Sequence, residues 1–130
     1  MIKYLLTTFC IVFFDQASKI YLKSSFKENI IYDILGSFLR FNRLDNSGIV
    51  FGIQVNPISY YMVILLSIFI IAYILFLMKV EYNKNKDNIL ILVSFSLILG
   101  GAIGNLIDRL FVVFGFFDYQ GVIDFISIGI

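Results

Sequence analysis

Histidine is absent from this 130-residue chain. That excludes Ser-His-Asp and Cys-His catalysis and removes the commonest ligand of zinc sites. The single cysteine, Cys10, cannot close an intramolecular disulfide and says little about redox compartment. Charge is scarce too. Ten basic and nine acidic residues leave a net charge of +1, and only 15% of the chain is charged. No basic patch emerges of the kind that nucleic acid demands, so no nucleic-acid partner is expected. Any catalysis has to be built from carboxylates, lysines, hydroxyls or backbone groups, and no metal or cofactor is expected.

What is abundant is apolar. Hydrophobic residues make up 60% of the chain and the mean hydropathy is +0.94, whereas soluble domains are about 45–50% apolar and about 25% charged. The length suits one domain. Tyr4–Phe14 is an uncharged run of 11 residues behind Met1-Ile2-Lys3, the pattern of a secretory signal peptide. No small-residue cleavage site follows, since Phe14, Asp15 and Gln16 occupy those positions, and Cys10 follows Thr8-Phe9 rather than the small residues of a lipoprotein signal. The better reading continues the helix to about Leu22, long enough to cross a bilayer. Two further uncharged segments, 58–78 after Pro57 and 89–107, complete three expected spans, with a polar loop at 79–88. Three spans put the two ends on opposite sides. Lysine and arginine divide too evenly between the loops to settle orientation.

The polar residues gather at one level of this pattern. Asp15 and Lys19 stand at i and i+4, acid first, the favourable order for a helical pair. Ionisable residues in a span are functional candidates, and a snorkelling pair that marks the helix end is equally compatible. Residues 23–45 are a polar interlude. Phe38–Asn42 alternates, Asp45-Asn46-Ser47-Gly48 reads as a turn, and Ile49–Ile53 is β-branched and apolar. A small hairpin or curved sheet over about 36–56 follows. In the third span Gly100 and Gly104 form a small-xxx-small pair, and Gly101, Asn105 and Asp108 are expected on one face. Arg109 can pair with Asp108 or another carboxylate, or donate to backbone carbonyls. Glycines alone read as packing; with Asn105, Asp108 and Arg109 they read as a site. Asp124, between Ile123 and Phe125, is expected in an apolar setting that raises a carboxyl pKa, although a capping or ion-paired aspartate has the same sequence context.

Four strings carry a resemblance: Asp15-Gln16-Ala17-Ser18-Lys19, Asn46-Ser47-Gly48-Ile49-Val50-Phe51, the run GGAIGNLIDR from Gly100 to Arg109, and Val122-Ile123-Asp124-Phe125. In this order, and in this membrane pattern, the chain resembles the lipoprotein signal peptidases of the signal peptidase II family. The resemblance implies an integral membrane helical bundle, all-α apart from a small extracytoplasmic β-cradle, with four spans in the family. It implies an aspartyl endopeptidase of the bacterial inner membrane, acting as a monomer on lipid-modified prolipoproteins among membrane lipids and cutting before the lipidated cysteine. Both termini would be cytoplasmic and the active site extracytoplasmic. Asp124 would be the first of the catalytic pair, with Asp15, Lys19, Asn46, Gly48, Asn105, Asp108 and Arg109 shaping or supporting the site.

The chain also departs from that pattern. The family's second catalytic aspartate lies in an F-N-x-A-D motif heading the fourth span, and residues 1–130 contain no such motif. Neither Asp108 nor Asp118 matches that position. Ile49 and Val50 stand where small residues are usual, and the 14 residues between Arg109 and Asp124 make a longer connection. The expectation is therefore a C-terminally truncated member with three of four spans, inactive as it stands. The competing expectation is a three-span, non-catalytic membrane protein that binds lipidated substrates or a partner. A small transporter subunit would need an internal repeat or paired broken helices, and neither is present.

Overall fold

The computed structural model describes residues 1–25, 31–36, 38–46 and 57–128. Three long helices, α1 (Ile2–Ser25), α2 (Pro57–Lys84) and α3 (Ile89–Phe114), are joined by a sheet of β1 (Ile31–Leu35), β2 (Leu39–Asn46) and β3 (Val122–Ile128). All three helices are long and apolar enough to cross a membrane. At 1.5 Å per residue the 24 residues of α1 extend about 36 Å, more than a hydrocarbon core requires. Each helix outruns its expected span. The extra turns of α3 carry Asp108 and Arg109 inside the helix rather than at its end.

Helix α3 is the middle layer, packed on both α1 and α2. Where α1 begins, α2 ends and α3 begins, Tyr4, Met78, Leu92 and Leu99 form a buried apolar cluster. Thr8 ties the α1–α3 contact by donating to the carbonyl of Ser96 at 3.3 Å. Gly100 permits the close approach, because a Cβ there would lie 2.6 Å from Ile11 Cγ2. Thus the small-xxx-small pair packs on α1. The helix ends in a Schellman arrangement. Gly115 takes a left-handed φ of 67°, its N–H donates to Val112 and that of Phe116 to Phe111, satisfying the last carbonyls.

At the other end lies the sheet, antiparallel in the order β1-β2-β3. Across β1 and β2, Asp33 pairs opposite Arg40 and their side chains meet at 3.3 Å. One expectation is corrected here. Of the expected turn Asp45-Asn46-Ser47-Gly48, Asp45 and Asn46 instead extend β2 with their backbones, opposite Ile123 and Val122 of β3, while Ser47 and Gly48 lie outside the described residues. Local turn chemistry is overridden because a β-branched strand from more than 70 residues downstream supplies the ladder partners. The expected strand at Ile49–Ile53 lies outside the described residues. An irregularity between Phe41 and Leu44, where β2 advances one residue more than β3, immediately precedes the pairing of Leu44 with Asp124. Such bulges re-aim side chains beside functional sites.

Candidate active site

Lys19 is the hub of the polar end. Its ammonium lies 2.9 Å from Asp15 Oδ2 and 2.7 Å from Asp108 Oδ2, and donates at 3.4 Å to Asn105 Oδ1. With the whole residue only 7% exposed, Lys19 does not snorkel, and Asp108 is fully buried. A buried carboxylate is tolerable only when paired and hydrogen-bonded. Asp108 has both, because Gln16 Nε2 donates to its Oδ1 at 2.9 Å. The same amide reaches Asp15 Oδ2 at 3.1 Å and the carbonyl of Gly104 at 3.2 Å, so its two hydrogens are shared among three acceptors.

Gly104 explains how a carboxylate comes so close to a helix backbone. A Cβ at this position would overlap the Asp15 carboxylate. The glycine is therefore a seat for an acid as well as a packing contact. Gly101, expected on the same face as Asn105 and Asp108, instead faces open space and is exposed. The face of α3 that meets α1 is Gly100, Gly104 and Asp108, with Asn105 on its edge. Arg109 does not pair with Asp108; it donates at 3.3 Å to the carbonyl of Asn105, one turn back.

Asp15, Lys19 and Asn105 form one wall of a cleft of about 300 Å³, and Ile123–Ile126 of β3 form the other. Asp124 stands on that second wall. Its expected apolar setting is corrected by the strand geometry. Adjacent strand residues point to opposite faces, so the neighbour Ile123 is buried at 2% exposure while Asp124 is exposed. Phe125 stacks on Phe41 of β2 with ring centres 5.8 Å apart, which ties the centre of β3 to the sheet.

Of the expected site residues, Asp15, Lys19, Asn105 and Asp124 line this cleft, Asp108 lies buried behind it, and Arg109 braces the α3 backbone. The Asn46 backbone pairs with Val122 near the start of β3. Gly48 lies outside the described residues, as do Ile49 and Val50. Sequence reasoning missed Gln16 as a clamp and Ser18 as a lining residue. Gln16 had one legible signal: with Asp15 and Lys19 it falls at i, i+1 and i+4, on one side of a helix.

Comparison with known proteins identifies the family. A family model described as signal peptidase (SPase) II matches residues 7–130. Lipoprotein signal peptidases of Moorella thermoacetica, Clostridium tetani and Staphylococcus epidermidis are 33%, 34% and 31% identical to the chain. The alignments cover 98%, 88% and 97% of this chain and 77%, 66% and 71% of those proteins. The chain thus spans roughly two thirds to three quarters of their length. Two bacterial membrane enzyme structures, solved by the in meso method at 2.3 and 1.9 Å, superpose with TM-scores of 0.72 and 0.69 at 26% identity. They cover all of this chain, which in turn covers 72% and 76% of theirs. With three membrane-span-capable helices, a three-stranded sheet beside the polar cleft and a family match over nearly its whole length, the chain belongs to the signal peptidase II family.

Proposed function

We propose that this chain is a lipoprotein signal peptidase of the aspartyl type, with Asp124 as one acid of its catalytic pair. The single observation that carries the reading is the cleft: an exposed strand carboxylate, Asp124, lines it opposite Asp15, Lys19 and Asn105. Asp15, the other carboxylate lining the cleft among the described residues, is held by Lys19 and Gln16. Asp108 is buried behind it. Asp124 is the exposed carboxylate on the strand wall of the cleft, and on that ground the one we assign to meet a substrate.

Two facing carboxylates do not both ionise comfortably, so one stays protonated while the other removes a proton from water. The activated water attacks the peptide carbonyl just before the lipidated cysteine. The protonated acid polarises that carbonyl and afterwards protonates the leaving amine. By resemblance the partner acid belongs to an F-N-x-A-D motif, which residues 1–130 do not contain. We therefore expect residues 1–130 alone to be inactive. The substrate would keep its acyl chains in lipid and reach the cleft at the extracytoplasmic face of the inner membrane, and the enzyme would act as a monomer.

The test is cleavage of a diacylglyceryl-modified prolipoprotein peptide in detergent micelles. Any form of the protein that cleaves before the lipidated cysteine is expected to lose that activity on Asp124→Asn. An unchanged rate in the Asp124→Asn variant would remove Asp124 from the pair. Cleavage by residues 1–130 alone would overturn the need for a further acid. Tight binding of the lipidated peptide with no cleavage by any form would favour a non-catalytic binding role.

A further inference from the structure

We propose that the connector between α3 and β3, from Phe114 to Tyr119, is an aromatic anchor inserted at the lipid–water interface, on the side of the membrane where the Asp124 cleft lies. The proposal rests on reading α3 as a membrane span, and it does not depend on the cleft being catalytic. The connector sequence is Phe-Gly-Phe-Phe-Asp-Tyr. It begins where the apolar helix stops. Phe114, Phe116 and Phe117 are 66%, 54% and 62% exposed, while Tyr119 beneath them is buried at 4%. Phe111 backs the group, with its ring centre 6.2 Å from Phe116, 5.4 Å from Phe117 and 5.3 Å from Tyr119.

These rings are displayed rather than left loose. Phe117 and Asp118 both adopt left-handed backbone conformations, with φ of 55° and 52°. That is costly for a bulky residue and persists only where the surroundings enforce it. Here the enforcement comes from α1. Lys23 donates to the Asp118 carbonyl at 2.5 Å, and its ammonium lies 4.3 Å from the centre of the Tyr119 ring. The outcome is a braced turn that holds three phenyl rings outward, with a lysine and an aspartate at its edge.

Continuity selects lipid as the occupant. At the end of α3, Val113 and Phe114 are exposed apolar residues, and Phe116 and Phe117 of the connector prolong that surface. Aromatic rings concentrate at both membrane–water boundaries, where a charged edge can remain in water. Tyr119 precedes Asp124 by five residues, so the depth of this anchor sets the height of the cleft above the acyl region.

The chain has no tryptophan, so a single introduced indole reports on one position. The full chain carrying Phe116→Trp or Phe117→Trp is reconstituted into phosphatidylcholine–phosphatidylglycerol vesicles. The acyl chains are brominated either near the headgroup or near the bilayer centre. Phe69→Trp, on the exposed face of α2, serves as the deep control, and helical circular dichroism checks that each variant folds. Interfacial insertion about 5–10 Å into the headgroup–acyl boundary predicts blue-shifted emission and about twofold stronger quenching by shallow than by deep bromine at both connector positions. Red-shifted emission quenched by aqueous iodide would overturn the proposal in favour of a solvent-facing turn. Blue-shifted emission insensitive to bromine would overturn it in favour of a protein cover, whether a second copy or another chain. Quenching as deep as the control would overturn the interfacial depth. Loss of deep quenching in Phe69→Trp itself would instead overturn the spanning reading on which the proposal rests.

Discussion

Against α1, helix α3 presents Gly100, Gly104 and Asp108 and receives Ile11, Asp15, Gln16 and Lys19. Where α2 joins it, α3 presents Leu92 and Leu99 to Met78, with Ile71 and Ile74 packed around them. The first contact is directional. It depends on a missing Cβ, a charged hub and an amide that serves three acceptors, so few side chains can substitute. The second is apolar and largely indifferent to which apolar residue fills it, and the outer face of α2 (Leu65, Phe69, Tyr73, Phe76) is exposed throughout. In a bilayer, apolar contact between helices gains little over contact with lipid, so close packing and interhelical hydrogen bonds have to discriminate. The polar seam therefore tells α1 where to sit, while α2 needs only length, hydropathy and fit.

The contrast can be broken most severely at the hub. Lys19→Met leaves Asp108 buried without its cation and is expected to destabilise the chain by about 3–5 kcal/mol in detergent unfolding. Adding Asp108→Leu to that variant should recover most of the loss, because an ion pair replaced as a whole by apolar residues is often neutral or better. No recovery would mean that the seam is held by something other than the pair. Next in size, Gly104→Ala forces a Cβ into the Asp15 carboxylate and should cost about 1–3 kcal/mol. Gly101→Ala, one turn earlier and facing open space, should be neutral or stabilising by up to about 1 kcal/mol from helix propensity. The ratio of those two shifts in unfolding midpoint measures how tight the seam is. On the other side of α3, Met78→Leu conserves volume and should cost less than about 1.5 kcal/mol. A larger loss would show that the α2 contact is as specific as the seam. The smallest effect on stability is expected at Asp124. As an exposed strand residue, its change to Asn should shift stability by no more than about 0.5 kcal/mol, while abolishing prolipoprotein cleavage by the active enzyme. A variant that lost both would point to a structural role.

Much of the seam was legible before folding was considered. The i and i+4 spacing of Asp15 and Lys19 foretold their contact, and Gly100 and Gly104 foretold a close helix neighbour. The spacing did not tell which carboxylate across the interface Lys19 would reach, because helix periodicity orients a face without naming its partner. For the same reason helix spacing alone places Gly101 with Asn105 and Asp108. An arc of one face is wide, and only packing on α1 selects the part of it that is buried. For Asp124 the sequence context leaves the setting open, and the strand decides it: the buried neighbour Ile123 points to the opposite face. Asp45 and Asn46 have turn propensity, and local propensity yields when a distant strand offers a ladder.

The sequence by itself determined the three long helices, the family and the inventory of polar groups. Hydropathy over about 20 residues and a specific string such as GGAIGNLIDR are local properties that do not depend on the fold. Only the tertiary structure decided that Lys19 bridges Asp15 and Asp108, that Gln16 clamps both acids, and that Asp124 lines the same cleft as Asp15. Those facts depend on distances between residues about 90 to 110 positions apart. Two helices and a strand from opposite ends of the chain set these distances when they pack, and no local pattern encodes them.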